Sequence, residues 1–176
     1  YPWEAERFYE QLRSRMAKFG LELEENKSRI VESGRYLASL KAKRGESTRL
    51  GTFDFLGFTF YCGRTTKGNP WIMPKTSSKK FRQKVKEIKI WLYNNKEQKL
   101  GKLMYMLNVK LVGHYRYYGI SFNSRMISNY KQQVRELLYK VLNRRSEKKS
   151  YTREGFIEMM KYYKLVNPKI YYSLFC

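Results

Sequence analysis

The chain of 176 residues contains one aspartate, Asp54, and one histidine, His114. Two-metal phosphoryl transfer needs several carboxylates around the ions, and one aspartate cannot hold such a site. Six of the fourteen glutamates lie in 3–18 and at Glu22–Glu25, where solvated surface accounts for them. A lone histidine has no partner for acid–base catalysis, so packing is the expected role of His114. The two cysteines, Cys62 and Cys176, form no C-x-x-C pair and cannot make a zinc site. They read as free thiols, which suits a reducing cytosol. No apolar run is long enough to cross a membrane, and no stretch reads as a signal or transit peptide. Internal repeats and low-complexity segments are also lacking. The chain opens at Tyr1-Pro2-Trp3 without a methionine, and the expectation is an expressed fragment or a piece of something longer.

Positive charge is abundant. Residues 1–60 carry 11 basic and 9 acidic residues, whereas 61–176 carry 26 and 6, so nearly all of the net +22 lies in the second part. A dense field of one sign points to a polyanion, with nucleic acid the default. A membrane surface fits less well, because the helices interleave Lys with Tyr instead of segregating them.

Hydrophobic spacing predicts an α+β chain. Phe8, Leu12, Met16 and Phe19 predict an amphipathic helix over 3–18, with Gly20 as its stop. Lys27–Val31 reads as the start of a short strand, and 36–50 as an aperiodic loop. Phe53–Phe60 is aromatic and strand-like, with Gly57 marking a place where a side chain would intrude. A basic turn at Arg64–Gly68 leads to Trp71–Met73 as a returning strand, and Pro74 is expected to end the unit. Three helices follow, with short links that suit an antiparallel bundle. The first is capped by Ser77 or Ser78 and places Phe81, Val85, Ile88 and Leu92 on one face. The second, about 98–118, does the same with Leu100, Leu103, Leu107, Leu111, Tyr115 and Tyr118, and Gly119 closes it. The third, about 124–144, uses Ile127, Tyr130, Val134, Leu137, Leu138 and Val141. Thr152 is expected to cap a short fourth helix with Phe156, Met159, Met160 and Tyr163.

Four segments in this order carry a family resemblance. Phe19-Gly20-Leu21 through Lys27-Ser28 and then Phe53-Asp54-Phe55-Leu56-Gly57-Phe58-Thr59-Phe60 resemble the sixth and seventh sequence blocks of group II intron reverse transcriptases. Leu111-Val112-Gly113-His114-Tyr115-Arg116-Tyr117-Tyr118-Gly119-Ile120 resembles the signature of their maturase region. Pro168–Phe175 is similar to the family's C-terminal tail. The chain thus resembles the C-terminal part of a group II intron reverse transcriptase/maturase.

The resemblance implies the end of a palm over 1–73 and a thumb, or maturase-specific, helical domain over 74–176. It implies a role for Lys27 as general acid toward departing pyrophosphate, and a primer grip at Leu56, Gly57 and Phe58. Gly113 is expected to allow close helix contact, Tyr115 and Tyr118 to fill the core, and Arg116 and Tyr117 to face nucleic acid. Lys75, the basic helix with Lys79, Lys80, Arg82, Lys84, Lys86 and Lys89, and the cluster Arg144, Arg145, Lys148 and Lys149 complete the expected binding surface. Few acids pair with these cations, and like charges repel unless phosphates neutralise them. The implied partners are group II intron RNA, an RNA template with its DNA primer, and the N-terminal fingers and palm of the same protein. The setting would be the ribonucleoprotein of a bacterial cytoplasm. Mg²⁺ is implied for a full-length polymerase, whose metal-holding Tyr-Ala-Asp-Asp turn would lie upstream of Tyr1; these residues need no cofactor. The rival expectation is a stand-alone RNA-binding or chaperone protein without catalysis. A ribosomal or DNA-architectural protein would explain the charge but not the Phe53–Phe60 block.

Overall fold

The computed structural model describes residues 2–24, 28, 30–31, 35–45, 50–65, 67–144 and 151–174. The expected short strand at Lys27–Val31 falls mostly outside them, and Ser28, Ile30 and Val31 are not in a strand. Helices α1 (Pro2–Ala17) and α2 (Arg35–Lys43) come first, then strands β1 (Phe53–Phe55), β2 (Phe58–Arg64) and β3 (Pro70–Thr76). Four helices follow: α3 (Ser78–Asn94), α4 (Leu100–Tyr118), α5 (Ser124–Leu142) and α6 (Arg153–Tyr162). The chain is α+β, with the strands in the order β1-β2-β3.

Three expectations change. The segment 36–50 is not all loop, because Tyr36–Lys43 is made of Ala, Leu, Lys and other residues that support a helix. Gly45, at φ +67, takes the left-handed conformation common after a helix end. Phe53–Phe60 is not one strand. Leu56 and Gly57 have φ +48 and +81, the positive pair of a two-residue hairpin turn, so β1 and β2 run antiparallel. Pro74 does not end the unit either, since β3 continues to Thr76. A strand at the edge of the sheet tolerates a residue without an N–H.

Contacts sort the chain into two compact units, 1–53 with 62–72, and 54–61 with 73–176. In the first, no described residue is buried, and Trp3, Phe8 and Phe19 are exposed. The second holds the core. Leu103, Leu107, Leu111 and Tyr115 of α4 meet Ile88 and Leu92 of α3 and Ile127, Val134, Leu138 and Val141 of α5. Phe156 of α6, Phe58 of β2 and Leu165 of the C-terminal tail close it. Ser77 and Thr152 cap α3 and α6 as expected, accepting hydrogen bonds from the backbone N–H of Lys80 and Gly155.

Two polar fastenings fix the ends of these helices. Asn123 is fully buried. Its Oδ1 accepts from the Thr76 N–H at 2.8 Å, and its Nδ2 donates to Thr76 Oγ1 at 2.9 Å and to the Tyr118 carbonyl at 2.7 Å. This joins the end of β3 to the end of α4. Gly119 seats the C-terminal tail: its carbonyl accepts from the N–H groups of Tyr171 (2.7 Å) and Tyr172 (3.2 Å). A Cβ built on Gly119 would lie 2.4 Å from the Lys169 carbonyl oxygen, so only glycine allows this approach.

Candidate nucleic-acid interface

Within the second unit, the Leu56–Gly57 turn, α3 and α4 enclose a cleft of about 670 Å³. The turn is pinned by both of its carbonyls. Tyr117 of α4 donates its hydroxyl to the Leu56 carbonyl at 2.9 Å, and the Ser77 N–H donates to the Gly57 carbonyl at 2.9 Å. The Tyr117 ring lies nearly parallel to that of the buried Phe58, at 6.0 Å and 12°. A Cβ on Gly57 would stand 3.2 Å from the Tyr118 hydroxyl and 3.5 Å from Lys80 Cγ. The backbone, at φ +81, favours glycine here, and a side chain would also press on the Tyr118 hydroxyl.

Helical spacing divides the basic residues of α3 between two faces. Lys80, Lys84, Glu87 and Trp91 line the cleft, at the i, i+4, i+7 and i+11 positions of one stripe. Lys79, Arg82, Lys86 and Lys89 form a second stripe, exposed and outside the cleft. Arg82 returns its Nε to the Ser78 carbonyl at 3.2 Å.

Lysine dominates the charge of the cleft. Glu87 is its only acidic lining residue, and it is engaged by Lys84 at 2.8 Å and Gln83 at 2.9 Å. The Lys84 hydrogen bond holds the Glu87 carboxyl below its ordinary range. Lys110 of α4 projects over the Trp91 ring, 5.1 Å from its centroid. Neither Lys110 nor Trp91 is among the binding residues expected from sequence, which on α4 were Arg116 and Tyr117 and on α3 the basic residues from Lys79 to Lys89. Their signal was spacing: Lys110 precedes Gly113, His114 and Tyr117 by three, four and seven residues, which places all four on one side of α4.

His114 is packed and neutral. Its ring stacks on Tyr130 at 3.7 Å and 16°, and lies 4.7 Å from Tyr118. Burial, aided by the nearby Lys84 charge, lowers its pKa to about 4. Burial also raises the pKa values of Tyr115, Tyr118 and Tyr130. Tyr115 and Tyr118 are in the core, whereas Arg116 and Tyr117 are exposed.

The remaining predicted residues are scattered. Lys75 is exposed on β3 with its ammonium 4.9 Å from the Tyr61 ring centroid. Arg144, after α5, donates to the Tyr93 hydroxyl at 2.7 Å, at the opposite end of α3 from Ser77. Lys27, Arg145, Lys148 and Lys149 lie outside the described residues. The structure therefore brings Leu56, Gly57, Lys80, Lys84 and Tyr117 to one cleft and leaves the other expected binding residues that it describes outside that cleft.

The described residues offer no site for Mg²⁺. Asp54 accepts a hydrogen bond from the Thr59 hydroxyl at 2.5 Å, and no group of three potential metal ligands occurs among the described residues. No described helix is long and apolar enough to cross a membrane.

Residues 78–163 match the family model of the group II intron maturase-specific domain. Comparison with curated proteins and with solved structures gives no match.

Proposed function

We propose, on the premise that residues 78–163 are a group II intron maturase-specific domain, that this chain binds structured intron RNA through the cleft between α3, α4 and the Leu56–Gly57 turn. One observation carries the reading. Lys80, Lys84 and Lys110 converge on a cleft whose only carboxylate is already engaged by Lys84, beside the half-buried Trp91 and the exposed Tyr117. Lysines meet phosphates, and aromatic faces meet bases or sugars. Structured RNA is recognised largely by shape and phosphate placement, which a rigid basic cleft can match.

The same turn serves as a primer grip in a longer protein, with the helices as its thumb, and DNA synthesis and retrohoming belong to that larger assembly. Binding of the intron RNA, favouring its splicing-active form, is the part assigned to these residues.

The experiment compares the affinity of the chain for a folded group II intron RNA and for an unstructured RNA of equal length at about 0.15 M salt. Intron RNA is expected to bind at least about tenfold tighter, a difference of roughly 1.4 kcal/mol. Equal affinities would reduce the chain to a general polyanion binder and end the maturase reading.

A further inference from the structure

A second groove, of about 770 Å³, lies on the other side of α4, with Tyr105, Val109 and Val112 facing the tail residues Lys164–Asn167. Asn108 holds that tail in place: its Nδ2 donates to the Lys164 carbonyl at 3.0 Å, and its Oδ1 accepts from the Val166 N–H at 2.9 Å. Gly113 lines both this groove and the lysine cleft, and so forms the ridge between them.

Nothing among the described residues requires Gly113 to be glycine. It lies inside α4, it is exposed, its φ is not positive, and a Cβ built there would meet nothing within 4 Å. The close helix contact expected of it does not exist among the described residues. Glycine is a poor residue for an exposed helix interior, and alanine at such a position stabilises. A bare backbone that none of the described residues requires points to something outside that approaches it closely.

We infer that an RNA strand crosses α4 at Gly113, its sugar-phosphate backbone resting on the exposed helix backbone as it passes from the lysine cleft into the second groove. Charge selects this occupant. Lys110 flanks the ridge on one side and Arg116 and Lys164 on the other, and no carboxylate lines the second groove. Tyr105, Val109 and Tyr117, all more than half exposed, offer faces for bases or sugars on both sides. The inference rests on the RNA-binding reading and extends it to a path with a defined crossing point.

The test sets stability against binding in the full chain with Gly113→Ala and Gly113→Leu. Both residues are strong helix formers, so each variant should melt about 2–4 °C above wild type. Affinity for intron RNA should fall as the side chain grows, about threefold for Ala and at least about tenfold for Leu, while sedimentation stays unchanged. Raised melting with unchanged RNA affinity would overturn the crossing, and so would lowered melting, which would reveal a packing role. A shift in sedimentation without loss of RNA affinity would assign the ridge to a second copy of the chain and overturn it equally. Wild type that binds no intron RNA would instead defeat the parent reading.

Discussion

Single residues set the geometry of the cleft, and two of them predict measurable stability effects. Asn123 makes three hydrogen bonds in a fully buried setting. Asn123→Ala strands the Thr76 N–H and hydroxyl, and should cost about 2–4 kcal/mol. Urea unfolding of the variant checks this; a loss below about 1 kcal/mol would mean that the Thr76–Tyr118 fastening is not needed. His114 predicts a pH effect. Its folded pKa of about 4 lies below the ordinary 6.5, so the unfolded chain takes up the proton first as pH falls. Its contribution is complete above about pH 6.5 and is lost on the way down to about 4. Between pH 7 and 5 wild type should lose about 2 kcal/mol, and His114→Phe, which keeps a ring against Tyr130, should lose much less. Parallel slopes for the two proteins would place the titration elsewhere.

At the scale of elements, the Leu56–Gly57 turn shows how far sequence reaches. Gly57 was legible as a position that excludes a side chain, and the structure supplies two causes, φ +81 and the Tyr118 hydroxyl. The turn itself was not legible, because Leu56 at φ +48 is not a residue that announces positive φ. Gly57→Ala should therefore destabilise by about 1–2 kcal/mol, an effect on the fold rather than on the ligand alone. Leu56 is exposed and held in a conformation that leucine disfavours. Leu56→Asn should melt no lower than wild type, because asparagine tolerates that backbone. A drop of several degrees in its melting curve would mean that Leu56 holds a contact inside the protein. Helices α3 to α6 were legible because their apolar residues recur at helical spacing and face one core. Helix α2 was not, because its short sequence shows no clear apolar stripe, only propensity.

Across the whole molecule, the charge excess of 61–176 was legible from composition, but its arrangement was not. Composition cannot say that α3 shows lysines on two faces, or that Lys110 comes from another helix to join one of them. That division yields the central claim: the cleft stripe, not the outer stripe, binds RNA. The most direct measurement is the slope of log affinity for intron RNA against log salt, for wild type and two triple variants. Wild type should show a slope of roughly −3 to −5. Lys80→Ala with Lys84→Ala and Lys110→Ala should flatten it by about 2–3, whereas Lys79→Ala with Arg82→Ala and Lys86→Ala should leave it within about 1 of wild type. An unchanged slope in the cleft variant, or the larger loss in the outer one, would contradict the account.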